Sequence, residues 1–397
     1  MGGRLRSESV AGLQRNTQFK KTFKPMYDPV QRYLSDITPL TSKGDRPLHL
    51  SFEDQLKALI YFHLQEFSSG RELLQALEQD DFAKECIAPF KGIKKSAFFE
   101  AINNRGLEQL AELFKLLLKD ARKAIPAEFA DIGNLVAIDG SYIDAVMSMD
   151  WADYSSTHKK AKAHVAFDIN RGIPKDLILT DGNQIERQFV ERMVGPDETA
   201  VLDRGYQCNA SFDQWQENEK KFICRIQART NKKVIRENPI AEGSIVFYDA
   251  VVILGTPATR AQKEIRLVAY RVEGKDFWIA TNRHDLTGEQ VAQAYKLRWH
   301  IESFFAWWKR HLSVYHLIAR SQYGLTVQIL GGLITYLLLA MHCQKEHNEP
   351  VSIHRVRELR HQMASDAAAM ASPRSKPGRA TAIRNERLRN KRRKAKP

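Results

Sequence analysis

The chain has 397 residues, with 61 lysines and arginines against 47 aspartates and glutamates, a formal net charge of +14, and 43% hydrophobic residues. That mixture excludes wholesale disorder, because a chain of this length and composition can bury a large core, and the length predicts two or three domains. Cys86, Cys208, Cys224 and Cys343 are far apart and form no C-x-x-C pair, which argues against a zinc ribbon or disulfide framework and for a reducing cytoplasm. Residues 1–50 hold Pro25, Pro29, Pro39 and Pro47 and lack the apolar stretch of a secretory signal. They read as a loosely ordered lead-in with one short helix near Val30 to Leu34.

Residues 51–125 turn helical, with Leu56, Leu59, Ile60, His63 and Leu64 recurring on one face. Ser69 and Glu72 make a capping-box pattern for a second helix carrying Leu73, Leu74 and Leu77. Phe98, Phe99 and Ile102 mark a third helix, and Leu107 to Leu118 a fourth. Lys91, Lys94 and Lys95 before the third helix would suit DNA docking, and the same pattern equally suits an ordinary helical bundle.

After Pro126 the texture becomes α/β. A strand from Val136 to Ile138 ends in Asp139, and one from Ala200 to Leu202 ends in Asp203. Between them lie a hairpin, Ala163 to Ile169 and Asp176 to Thr180 around an Asn170-Arg171-Gly172 turn, and a helical stretch from Gln184 to Val194. The runs Phe222 to Ile226, Ile245 to Leu254, Ile265 to Val272 and Phe277 to Thr281 then form a β-rich block with no intervening helix, followed by one long helix from Gly288 to Leu312. Leu325 to Met341 is apolar enough to raise a membrane span, but Thr326, Gln328 and Thr335 within it favour a buried core helix. From Pro373 to Pro397 eleven basic residues face one acid, Glu386, which makes a basic tail able to approach a polyanion.

Carboxylates at strand ends are ordinary turn formers when taken singly, but strand ends are also where α/β folds bind ligands. Asp139 and Asp203 brought together there would suit a hard divalent cation such as Mg²⁺ or Mn²⁺. Asp144, five residues past Asp139, would face the other side of a continuing strand. Asp168, Asp176 and Asp181 are competing carboxylates in the same region. On the helix near residue 300, Tyr295, Arg298, Glu302 and Lys309 fall within about 60° of one another, beside a core stripe of Leu297, Ile301, Phe304 and Trp308. Pairing of Arg298 with Glu302 alone would leave Tyr295 and Lys309 unexplained.

The spacing of Tyr295, Arg298, Glu302 and Lys309 resembles the signature of DDE transposases of the IS-four insertion-sequence type. Asp139 and Asp203 stand where that family has its first two metal-binding carboxylates, and Gly205, Tyr206 and Trp299 also match its pattern. The resemblance covers about residues 130 to 345. It implies an α/β, RNase H-like catalytic core (130–209 and 286–345) interrupted by a β-rich insertion (210–285). Outside it lie a helical, possibly DNA-binding region (51–125) and a C-terminal helix and basic tail (346–397). It further implies Asp139, Asp203 and Glu302 as catalytic metal ligands for two Mg²⁺ or Mn²⁺ ions, and Tyr295, Arg298, Trp299 and Lys309 as DNA contacts. Trp278 would either stack on a flipped base or serve as a core aromatic of the β-rich block. The expected function is cut-and-paste transposition on double-stranded DNA by a cytoplasmic, nucleoid-associated homodimer with no membrane partner. The rival expectation is a catalytically inactive DNA-binding protein that keeps the fold.

Overall fold

The computed structural model describes residues 22–41, 48–312 and 316–371, so the basic tail and Pro47 lie outside the described residues. Its centre is one mixed nine-stranded sheet in the order β3-β2-β1-β4-β5-β9-β8-β7-β6. The strands are β1 Asn134–Ala145, β2 Lys159–Asp168, β3 Ile173–Asp181, β4 Glu198–Leu202, β5 Lys221–Ile226, β6 Lys232–Glu237, β7 Val246–Leu254, β8 Ile265–Val272 and β9 Lys275–Thr281. β1 runs parallel to β4 and β4 to β5, while the other neighbours are antiparallel.

Among the described residues five α-helices precede the sheet: α1 Phe23–Gln31, α2 Phe52–Leu64, α3 Gly70–Gln79, α4 Lys95–Asn104 and α5 Leu107–Ala124. α1 corrects the reading of a lead-in with a helix near Val30 to Leu34. Phe23, Met26, Tyr27 and Val30 recur at helical spacing and are all buried, and Pro25 is tolerated in the first turn, where its missing N–H has no intrahelical partner to lose. Ser69 caps α3 as expected, but only half of the box forms: Glu72 accepts from the N–H and hydroxyl of Ser68. A complete box is found instead at Ser51 and Asp54, starting α2.

Three further expectations change. β1 does not stop at Asp139, because pairing with β2 carries it on to Ala145. The expected helical stretch before β4 holds as α6 Val190–Met193 and the β-rich runs have no helix among them, but an unforeseen helix, α7 Asn209–Glu217, stands between β4 and those runs. The long helix divides at Arg298 into α8 Gly288–Leu297 and α9 Trp299–His311. There the bonds Arg298 N–H to Tyr295 C=O and Ile301 N–H to Arg298 C=O span three residues rather than four, tightening the turn.

Alternation along the strands sorts the side chains to two faces. Leu135, Ala137, Val201, Ile223 and Ile279 join the helices in one apolar cluster, while Val136, Ile138, Leu202, Cys224 and Ala280 pack with Phe212 and Trp215 of α7 on the other face. The apolar helix, α10 Gln322–His347, is long enough to cross a membrane, yet 94% of its most apolar stretch is buried inside the molecule. A Cβ at Gly331 would stand 3.1 Å from Leu59 Cβ, so glycine there lets α2 approach closely. Gln328 is satisfied by the His316 carbonyl and the Ile318 N–H, which explains a polar residue in this core. α11, Ile353–Ala371, follows.

His63 is fully buried between the carbonyls of Leu312 and Gln328. Burial lowers its pKa to about 4, even though both carbonyls favour the charged form. The folded protein therefore holds His63 neutral, while the unfolded chain takes up a proton below about pH 6.5. This contribution to stability is complete above that pH and is lost as pH falls toward 4, by up to about 3 kcal/mol. Urea unfolding across that window should show a shallower acid loss in His63→Gln than in the parent, and an unchanged slope would contradict the assignment.

Candidate active site

Asp139 lies on the helix-covered face of β1, in line with Ala137 and Ser141. β1 and β4 are in parallel register at Ala137 and Val201, and two residues further along each chain come Asp139 and Asp203. Each carboxylate accepts a backbone N–H locally, Asp139 from Gly140 and Asp203 from Gly205, both at 2.8 Å. Burial pushes the pKa of Asp139 up to about 7, and the charges of Asp203 and Glu186 add to the rise. The Gly140 N–H and Arg298 act in the opposite sense, and burial prevails.

Glu302 arrives from α9. Arg298, only 9% exposed, donates from Nη2 to Glu302 and holds Nη1 3.8 Å from Asp139. One guanidinium thus joins carboxylates from a strand and a helix. The division of the helix at Arg298 assists this, since the tightened turn rotates the residues after it relative to those before it. Arg298 Nε is buried with no hydrogen-bond partner among the described residues. The Tyr295 ring lies 5.8 Å from this guanidinium. Burial raises the pKa of Tyr295, and Arg298 and Arg225, which its hydroxyl meets, offset part of that rise.

Arg225 went unnoticed in the sequence because it belongs to no spaced motif. It comes to the site through register, since Leu202 of β4 pairs with Cys224 of β5, which puts Arg225 beside Asp203 on the same face. Its guanidinium also covers the Phe277 ring at 4.7 Å. Glu186 was missed for the same reason. It pairs with Lys162 at 2.6 Å on the far side of Gly140, where a Cβ would fall 2.3 Å from its carboxylate, so a larger residue there would displace the Glu186–Lys162 pair.

The remaining expected residues are more scattered. Trp299 is 62% exposed, and Lys309 lies further along α9. Asp144 faces away, with its side chain 83% exposed, as the alternation required. Asp168 is held by Arg122 and Arg171, and Asp181 by Asn183 and Gln184. Trp278 is not brought to the cluster. It sits with Ala280 on the opposite face of the sheet, against Phe247 and Tyr248 and under Lys232 Nζ at 4.4 Å, while its neighbour Phe277 faces Tyr295. Trp278→Ala should therefore cost about 2–3 kcal/mol, below the range for a fully buried tryptophan, and weaken every activity step together. A variant with unchanged melting temperature and a selective loss of hairpin closure would restore the base-stacking role.

Residues 132–338 match the family model described as the transposase DDE domain, which spans all the strands and the site. The chain belongs to the DDE transposase family. A probable transposase for insertion sequence element IS5377 of Geobacillus stearothermophilus is 28% identical over 194 residues, covering 48% of this chain and 52% of that protein. Putative transposase y4zB of Sinorhizobium fredii is 26% identical over 212 residues, covering 51% and 59%. A putative transposase for insertion sequence element IS4SA of Synechocystis is 24% identical over 255 residues, covering 62% and 71%. The match thus spans little more than half the length of the first two relatives.

DDE transposase domains depend on divalent metal ions. Among the described residues no three acidic, histidine or cysteine side chains are gathered tightly enough to grip one, because Glu302 is tied to Arg298. Asp139 and Asp203 nonetheless fit a hard cation: both are oxygen donors, and their mutual repulsion is what a divalent charge would relieve.

Proposed function

We propose that this chain is a transposase that binds the ends of its insertion sequence, cleaves a DNA strand and joins the released 3′ hydroxyl to a target. The observation that carries this reading is that Asp139 of β1 is influenced by the charge of Asp203, the residue after β4, and is linked to Glu302 of α9 by Arg298. The strand order β3-β2-β1-β4-β5, with its parallel centre, supports an RNase H-like core. Because β5 pairs in parallel with β4, we place the start of the β-rich insertion after Ile226, so that β6 to β9 extend the core sheet. The helices of residues 51–125 and the basic tail are proposed as further DNA-contacting parts.

In this reading Asp139, Asp203 and Glu302 would hold the divalent ions, Mg²⁺ or Mn²⁺, expected as two per site. Such ions activate the attacking oxygen and stabilise the leaving one in an in-line displacement at phosphorus. Arg298 has a fork suited to phosphate and an unpartnered Nε, and a phosphate there would compete with Glu302 for the guanidinium. Release of Glu302 toward the other two carboxylates would then couple DNA binding to completion of the site. Tyr295, held by Arg298 and Arg225, presents a hydroxyl for a further backbone contact, and Lys309 adds a positive charge. Trp299 offers an exposed aromatic face beside the same groups. Two such protomers, each holding one element end, would make the synaptic homodimer.

The test is incubation of the purified protein with DNA carrying the ends of its own element. Strand breaks at the element boundary that leave 3′ hydroxyls, need Mg²⁺ or Mn²⁺ and proceed to joined products are expected. Binding to the ends with no cleavage under any divalent ion would favour the inactive DNA-binding protein.

A further inference from the structure

The connection from α3 to α4 carries an aromatic ring that packs on nothing. A short π-helical turn, Ala83–Ile87, ends at Ala88, and the chain then closes a β-turn in which the Gly92 N–H donates to the Pro89 carbonyl at 2.8 Å. Phe90 and Lys91 occupy the two corner positions, and Gly92, at φ +68°, takes the left-handed conformation that lets the chain leave the turn. Ile87 and Ile93 on either side are both buried. The turn is therefore pinned at its two ends while its tip stands in water. Phe90 is fully exposed, whereas no other large apolar side chain among the described residues is more than 62% exposed.

Burying a phenylalanine is among the larger single gains open to a folding chain, so a ring held out on an anchored turn has no role in holding this fold together. Its surroundings are basic. Lys91 shares the tip, and Lys94 and Lys95 follow at the start of α4. All three are exposed, and no ion pair or hydrogen bond holds their ammonium groups among the described residues, whereas Lys84 is paired with Asp81. The nearest acids along the chain, Glu85 and Glu100, each lie five residues outside the segment 90–95. Even a fully extended chain would put Lys95 no more than about 18 Å from Phe90, the length of about five base steps of a duplex. An apolar side chain that enters a base step, with cations on the phosphates to either side, is a means by which proteins kink DNA. A protein interface would surround the ring with further apolar groups and few lysines.

We propose that Phe90 is a wedge that enters a base step of duplex DNA, with Lys91, Lys94 and Lys95 on the phosphates beside it. The proposal rests on the DNA-cleaving reading of the chain, but its test needs no cleavage. In EDTA, the full-length protein is added to a set of element-end duplexes, each carrying at a different adenine position 2-aminopurine, a base that fluoresces when unstacked. The parent should raise the fluorescence at one base step. Phe90→Ala should lose that rise and bind about 5-fold or more weakly, with the melting temperature of the free protein unchanged. Phe90→Leu should keep a rise, since leucine also serves as a wedge. Joint replacement of Lys91, Lys94 and Lys95 by glutamine should flatten the slope of log affinity against log salt by about 2.7, at about 0.9 for each phosphate. No rise with the parent, a rise that survives in Phe90→Ala, or an unchanged salt slope in the triple variant would overturn the wedge. A lowered melting temperature in Phe90→Ala would make the ring structural, and loss of self-association with DNA binding intact would give it a protein partner; either result overturns the proposal as well. A Phe90-dependent rise in a protein that never cleaves DNA would leave the wedge standing and remove the cleavage reading alone.

Discussion

Replacing Asp139, Asp203 or Glu302 with alanine is expected to lower divalent-ion-dependent strand cleavage by about 10³-fold or more, with affinity for element-end DNA nearly unchanged. The separation arises because these groups hold charge for the reacting phosphate and make no contact that reads or grips a duplex. Stability should separate the mutants from simple folding defects. Asp139 is a desolvated carboxylate beside Asp203 and Glu186, so removing it relieves repulsion, and without divalent ion the melting temperature of Asp139→Ala should hold or rise. Cleavage at the parent rate by any one variant, measured with labelled end DNA in Mg²⁺, would take that residue out of the site.

Arg298→Ala should have the largest effect on stability of any substitution in the cluster. The guanidinium is buried, and its removal leaves Glu302 and Asp139 without their shared cation, a change that costs about 3–5 kcal/mol in comparable buried pairs. Glu302 is partly open to water, so the lower end of that range is expected. Adding Glu302→Gln to Arg298→Ala should recover part of the loss, because the carboxylate left uncompensated is then gone. Arg298→Lys should keep the charge and most of the stability but lose the fork that reaches two carboxylates at once, and with it tight phosphate binding. Urea unfolding of the two single variants and the double variant settles this: strict additivity would mean that Arg298 and Glu302 act independently.

Much of the site was legible in the sequence because its signals are local or periodic. Asp139 and Asp203 close short apolar runs, and Tyr295, Arg298, Glu302 and Lys309 share a stripe at helical spacing. The hairpin of β2 and β3 announced itself through the Asn170-Arg171-Gly172 turn. What escaped is set by pairing across the chain. The continuation of β1 through Gly140 and Ser141 depends on β2 as its partner, and a run that leaves the apolar pattern looks finished when read alone. β6, with the sequence KKVIRE, is almost entirely exposed at the sheet edge and has no buried face to generate alternation. Arg225 and Glu186 are single residues brought in by register and by packing against Gly140. α1 was obscured by Pro25 and Pro29, although its four buried apolar residues keep helical spacing. The division at Arg298 involves neither proline nor glycine, so nothing in composition marks it.

The central claim, that three carboxylates from β1, β4 and α9 hold the catalytic metal, is tested most directly by loading the DNA-bound protein with Fe²⁺ in place of Mg²⁺. Adding ascorbate and peroxide then lets locally generated hydroxyl radicals cut the nearby backbone. Fragment ends mapped by mass spectrometry should cluster around residues 139, 203 and 302, and should disappear with excess Mg²⁺ and in Asp139→Ala. Cuts confined to segments away from all three positions, with equal yield in Asp139→Ala, would contradict the account.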